Sequence, residues 1–279
     1  MRSLILRRAA LTATTARRAC YSTKPSSVDD SEIKKFSAMA EDWWNPDGEF
    51  AMLQLMNPPR VSYVREQLGK TKAEPKPFQG LRMLDIGCGG GLLSEALVRL
   101  GGNVLGADAA YDNIQMAKVH AKQDPRLSEH LEYRNTTAED LHAEGETFDV
   151  VCAMEIIEHV SRPDEFLKTC ASMVRPGGHL FLSTMSRTFI AHFLTVFLAE
   201  DLLRLVHRGT HDWHKYIKSQ ELAEAVRGLG QDWTVQDMRG IYWDPLRRKW
   251  WLSQQKGLTA PCGLENLEVN YLLAAQRLQ

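Results

Sequence analysis

A doubly wound α/β fold with a mostly parallel sheet of seven strands is predicted by three observations. Short apolar runs alternate with helical periods from residue 82 to residue 184, the order that builds βαβ units. The first run leads at once into Gly87-Cys88-Gly89-Gly90-Gly91, where a strand can turn sharply into a helix and the backbone can approach a ligand closely. The second run closes on Asp108, 21 residues beyond Gly87, the spacing at which such folds place a carboxylate for ribose hydroxyls.

The elements follow in order. Ser31 opens a helical pattern over 31–45, with Ile33, Phe36, Met39, Ala40 and Trp43 on one face and Pro46-Asp47-Gly48 as the stop. A second helical pattern covers 49–68 and is interrupted at Asn57-Pro58-Pro59-Arg60. Residues 69–80 are polar and Pro-rich, a surface connection. Strands are predicted at Arg82–Ile86, Asn103–Ala107, Leu131–Asn135, Phe148–Met154 and His179–Thr184, with helices at Leu92–Leu100, Ile114–Gln123 and Asp164–Val174. The unbroken apolar run Phe148–Met154 reads as a strand buried on both faces. Residues 187–216 form an apolar insertion after the fifth strand. A helix at Ser219–Gly228 and strands at Trp233–Tyr242 and Val269–Ala275 complete a single domain over 28–279. No helical period separates the last two strands, which predicts an antiparallel edge.

The chain has 279 residues, 44% hydrophobic and 25% charged, enough for one large core. Residues 1–24 hold six basic residues and no acid, and the first acid is Asp29. With its Arg, Ala, Ser and Thr, the segment 1–27 is expected to be a mitochondrial presequence. Beyond it stand 28 basic against 35 acidic residues, a poor field for binding nucleic acid. Five cysteines without a CxxC spacing indicate neither a disulfide framework nor a zinc ribbon.

A glycine cluster alone does not choose a ligand, because dinucleotide enzymes carry one too. Their G-x-G-x-x-G register would need glycine at position 92, which is Leu92. Asp85, two residues before the first glycine, can accept from an ammonium. The order Asp85-x-Gly87-x-Gly89-x-Gly91 resembles the class I S-adenosylmethionine methyltransferases. Past the buried run come Glu155, Glu158 and His159, at i, i+3 and i+4. On a helix they would share a face and make an incomplete shell for a divalent ion. The plainer reading is acids that cap a helix or touch the cofactor.

A narrower resemblance covers residues 31–279. Lys35-Phe36-Ser37, Trp43-Trp44, Asn57-Pro58 with Arg60, Glu158-His159-Val160, Gly209-Thr210-His211-Asp212 and Val269-Asn270-Tyr271 resemble the mitochondrial form of the ubiquinone-biosynthesis O-methyltransferases. The resemblance implies S-adenosylmethionine contacts at Arg60, Asp85, Gly87, Gly89, Asp108 and Met154, and Mg²⁺ at Glu155, Glu158 and His159. It implies O-methylation of polyprenylated catechols, both a dihydroxybenzoate and a demethylubiquinol; for that chemistry His159 and His211 are the candidates to relay the phenol proton. It further implies a peripheral place on the matrix side of the mitochondrial inner membrane, within a multi-enzyme complex, and no nucleic-acid partner. Residues 187–206 carry His192, Glu200 and Asp201, which rules out a comfortable span. An interfacial helix or a lid packed on the core are the two readings left. Arg247-Arg248-Lys249-Trp250-Trp251 is a second candidate for a membrane surface, against a solvated loop. Two other functions fit the same fold: a metal-dependent RNA ribose methyltransferase, and a non-catalytic assembly factor. The acidic body argues against the first, and the intact Asp85, glycine loop, Asp108 and Glu155 against the second.

Overall fold

Strand β1 (Arg82–Ile86) lies at the centre of the sheet, paired in parallel with β2 (Asn103–Asp108) on one side and β4 (Phe148–Met154) on the other. The computed structural model describes residues 26–188, 215–253 and 269–279. Beyond β2 lies β3 (Leu131–Asn135), and beyond β4 lies β5 (Val174–Met185), both parallel to their neighbours. Parallel pairs need crossovers. These are α3 (Leu92–Arg99), α4 (Tyr111–Ala121), α5 (Ala138–Ala143) and α6 (Pro163–Ser172). Two helices, α1 (Asp30–Ala38) and α2 (Ala51–Gln67), precede the sheet. After β5 come α7 (Ser219–Arg227), β6 (Trp233–Asp244), β7 (Lys249–Leu252) and β8 (Asn270–Arg277).

The sheet order is β3-β2-β1-β4-β5-β8-β6-β7. Chain direction reverses sides between β1 and β4, so a crevice opens at the carboxyl ends of these two strands. The sheet is covered on both faces. Side chains alternate along each strand. Leu84, Val151 and Leu182 share one core with Phe166 of α6 and Leu222 of α7. Met83, Val150 and Phe181 share the other with Tyr63 of α2 and Leu97 of α3. Each such side chain contributes about 1.5–3 kcal/mol by leaving water.

The antiparallel edge is present, with a different membership. Strand β8 inserts between β5 and β6 and runs antiparallel to both. The described sheet has eight strands instead of seven. The addition is β7, which folds back on β6 around residues 245–248. The leading helix also stops earlier than its apolar period. It ends at Ala38, followed by a 3-10 turn at Ala40–Asp42, and the buried Ala40 and Trp43 lie beyond it. Conversely, α2 runs unbroken through Pro58 and Pro59. Packing of Met56, Arg60, Tyr63 and Val64 into the core holds it helical despite the missing amide donors. Helix α5 had no counterpart in the sequence reading. Cys88, Cys152 and Cys170 are buried free thiols. The segment 1–25 of the expected presequence and residues 189–214 of the expected insertion, with His211, lie outside the described residues. Among the described residues no helix is long and apolar enough to cross a membrane.

Candidate active site

The glycine loop is shaped by its neighbours on three sides. Gly87, Gly89 and Gly91 have φ of 73°, 54° and 88°, the left-handed region that side chains avoid. The loop is tied to the end of β2: the amides of Gly87 and Cys88 donate to Ala107 O at 2.8 and 3.1 Å, and the Gly89 amide to Asp108 Oδ2 at 2.9 Å. From above, the Trp43 ring lies where a Cβ on Gly89 or Gly90 would sit. Trp43 stacks on Phe50 at 3.7 Å and donates through Nε1 to Asn113 Oδ1 at 2.9 Å. Trp44 donates to Gly90 O at 2.9 Å and stacks on His120 at 3.4 Å. Loop and Trp-Trp segment therefore define each other.

Three charged groups flank the loop. Asp85, buried in β1, accepts from Ser94 Oγ at 2.6 Å. Burial pushes its carboxyl up to about 6, against the opposing pull of Ser94 and Arg60. Arg60 is buried on α2 and its Nε has no hydrogen-bond partner. Burial lowers its pKa, while Glu155 and Asp85 act the other way. A buried guanidinium with an orphaned donor is a costly arrangement, which a ligand carboxylate would relieve. Asp108 also accepts from the Ala110 amide at 2.8 Å and from Asn113 Nδ2 at 3.3 Å. Burial raises its pKa, and the Ala110 and Gly89 amides oppose the rise.

The end of β4 supplies the remaining groups. Met154 is buried, and Glu155 follows with φ 56°, a strained conformation for a residue with a side chain. Its carboxylate accepts from Ser183 Oγ at 2.6 Å, while its own amide donates to Ser183 O at 3.0 Å. Glu158 is buried, accepts from Thr184 Oγ1 at 2.9 Å through Oε2, and keeps Oε1 without a partner. Burial holds its pKa above the usual carboxylate range; neighbouring Glu155 adds to the rise, and His159 opposes it. His159 Nδ1 meets Glu32 Oε2 of α1 at 3.0 Å.

The helical face on which Glu155, Glu158 and His159 were expected to stand is not formed. Residues 157–159 form one 3-10 turn, not the start of an α-helix. Glu155, Glu158 and His159 instead turn to Ser183, Thr184 and Glu32. Among the described residues no three His, Cys, Asp or Glu side chains are grouped to hold a metal ion.

A cavity of about 510 Å³ joins these parts, within the range of a small-molecule site. Arg60, Asp85, Gly87, Gly89, Asp108, Met154, Glu155, Glu158 and His159 all line it. The rest of its lining is largely apolar and includes Phe36, Phe50, Leu53, Met185, Trp243 and Trp250.

A family model described as a methyltransferase domain matches residues 84–182. The ubiquinone biosynthesis O-methyltransferase of Sinorhizobium fredii is 43% identical over 259 residues, covering 91% of this chain and 98% of that protein. The protein of the same name from Cereibacter sphaeroides is 44% identical over 256 residues, covering 90% and 98%. The chain belongs to the ubiquinone biosynthesis O-methyltransferase family. It is an S-adenosylmethionine-dependent methyltransferase. Its fold is also that of magnesium protoporphyrin IX methyltransferase from Synechocystis PCC 6803, solved with bound SAH: TM-score 0.59, 17% identity, covering 89% of this chain and 100% of that one.

The cavity gathers most of the residues that the sequence singled out. Nine of the ten site residues predicted from sequence line it, and His211 lies outside the described residues. Ser94, Asn113, Ser183, Thr184 and Glu32 were missed. Each acts by holding another site residue, and none has a spacing that marks it. Trp43 was read as a core position and as part of a family motif; its place over Gly89 follows only from the fold.

Proposed function

We propose that the chain transfers the S-adenosylmethionine methyl group to a phenolic oxygen of a polyprenylated catechol, a dihydroxybenzoate and a demethylubiquinol, in ubiquinone biosynthesis. The observation that carries this reading is a single cavity lined by the glycine loop, by charged groups of the Glu155–His159 segment and by a broad set of apolar side chains. In the proposal Arg60 takes the methionine carboxylate, Asp85 its ammonium, Asp108 the ribose hydroxyls and Met154 the adenosine. Gly87 and Gly89 let the loop approach the methionine. The O–H proton leaves the phenol, the oxygen attacks the methyl carbon in line, and the carbon–sulfur bond breaks to give S-adenosylhomocysteine and the aryl methyl ether. The protein supplies position and a proton acceptor. His159 serves as that acceptor: Glu32 holds its Nδ1, which leaves Nε2 for the substrate proton. His211 is a second relay in the proposal.

Mg²⁺ stays an expectation of the resemblance, and no step above runs through it. The proposal also places the protein on the matrix side of the mitochondrial inner membrane, peripherally and within a biosynthetic complex. The acid-free segment 1–24 and the apolar run 187–206 support that placement.

The test is transfer from labelled S-adenosylmethionine to a short-tailed prenyl dihydroxybenzoate by the full chain, with and without chelator. Methylated product is expected, with a large loss in His159→Ala. Cofactor binding without transfer would overturn the substrate assignment. Loss on chelation, restored by Mg²⁺, would establish a metal requirement; indifference to chelator would remove it.

A further inference from the structure

The β6–β7 hairpin carries features that the cavity alone does not use. Tyr242 pairs with Trp251 and Trp243 with Trp250 across the two strands, so each pair faces its own side of the ribbon. The Trp243 and Trp250 rings lie 5.7 Å apart and line the cavity, and Trp250 Nε1 donates to Met52 O at 3.1 Å. That face is anchored. On the other, Trp251 is 37% exposed, and Tyr242, 47% exposed, also borders the cavity. Lys249 Nζ sits 4.7 Å from the Trp251 ring centre.

At the tip, Leu246 is 94% exposed. It does not project by looseness of the turn. Asp244 Oδ1 accepts from the amides of both Leu246 and Arg247, at 3.0 and 3.1 Å, and Arg248 takes φ 50°, so the tip is a built turn. Arg247, Arg248 and Lys249 surround it, with Asp244 paired to Arg247 at 2.9 Å. A basic tip thus stands out from a body in which acids outnumber bases.

We propose that the β6–β7 hairpin tip is an interfacial membrane anchor for an anionic bilayer, which holds the hairpin side of the cavity against the lipid. Leu246 enters the acyl boundary, Tyr242 and Trp251 lie at headgroup level, and Arg248 and Lys249 meet lipid phosphates. Indoles, phenols and cations favour that layer. Complementary charge selects an anionic surface, and position selects a bilayer over a protein partner. Pro245 of the tip lines the same cavity as Trp243. The cavity therefore reaches the base of a tip suited to lipid. The inference rests on the polyprenyl reading only for the purpose of the anchor.

The experiment is vesicle flotation of the full chain with phosphatidylcholine vesicles, with and without an anionic phospholipid, beside the Leu246→Asp and Arg248→Glu/Lys249→Glu variants. Binding to anionic vesicles is expected, and each variant should weaken it on the order of tenfold. The charge variant should lose the dependence on anionic lipid and on salt. Methylation of a short-tailed, water-soluble catechol should be unchanged in all three proteins, which shows that the variants are folded. Variants that bind as the parent does, or a parent that binds no vesicle, would overturn the anchor even if soluble methylation succeeds. Failure of soluble methylation in the parent would overturn the catechol reading and leave flotation to decide the anchor by itself.

Discussion

Gly89 shows how tightly one residue constrains the site. Its φ of 54° and the Trp43 ring at the Cβ position oppose any side chain twice over. Left-handed backbone costs a non-glycine residue about 1–2 kcal/mol, and Trp43 must also move. Gly89→Ala should therefore weaken S-adenosylmethionine binding on the order of tenfold or more by calorimetry. Asp85 makes a pH prediction. Its carboxyl is raised to about 6 by burial, above its value in the unfolded chain. The stability it contributes is full below the unfolded value and is lost as pH rises through 6. An ammonium ligand prefers the carboxylate, so cofactor affinity should run the opposite way. We expect it to strengthen about tenfold from pH 5 to pH 7.5 and then level, and Asp85→Asn should flatten the rise. Asp85, Gly87, Gly89 and Asp108 were legible because a strand, a turn and a next strand fix their places locally. Ser94 and Thr184 were not, since their part is to hold another side chain, a contact made only in three dimensions.

Helix α1 has no fully buried residue. Its polar contacts are disproportionate for a surface helix. Glu32 meets both His159 Nδ1 at 3.0 Å and Lys215 Nζ at 2.9 Å, and its pKa falls to about 2, chiefly through His159. The N-cap Asp29 reaches the same Lys215 at 3.3 Å. Phe36 adds an edge contact to His159 at 5.0 Å. Helix α1 is thus clasped to the site with little burial behind it, the profile of a segment that opens locally. Glu32→Ala should speed proteolysis and amide exchange within 30–38 while moving the global Tm by less than about 2 °C. The period over 31–45 foretold a helix there but not its end at Ala38. Apolar spacing records which residues are buried, and Ala40 and Trp43 are buried from a 3-10 turn and its flank as readily as from an α-helix. The prolines of α2 misled in the other direction: tertiary packing overrode a local breaker.

At the scale of the molecule, the strand order places the crevice and the amino-terminal segment closes it. The alternation of runs sufficed to foresee a parallel sheet with an antiparallel edge. It could not foresee that β8 enters between β5 and β6, since strand order is set by long-range pairing that leaves no local period. One consequence couples the whole chain to its cofactor. Trp43 and Trp44 touch the glycine loop from outside the sheet, and Phe36 and Phe50 continue that contact toward α1 and α2. A ligand that orders the loop must then order the segment above it. Saturating S-adenosylhomocysteine, at about 100 times its Kd, adds about 2.7 kcal/mol to the folded state, or a rise in Tm of roughly 5–10 °C for a chain of this size. If the Trp-Trp segment is part of the bound state, protection from amide exchange will extend back through 30–45 and not stop at the loop. In Trp43→Ala the loop should still gain protection on binding, while residues 30–42 should gain little. Equal protection of both regions in that variant would show that the amino-terminal helices close over the site without help from the indole.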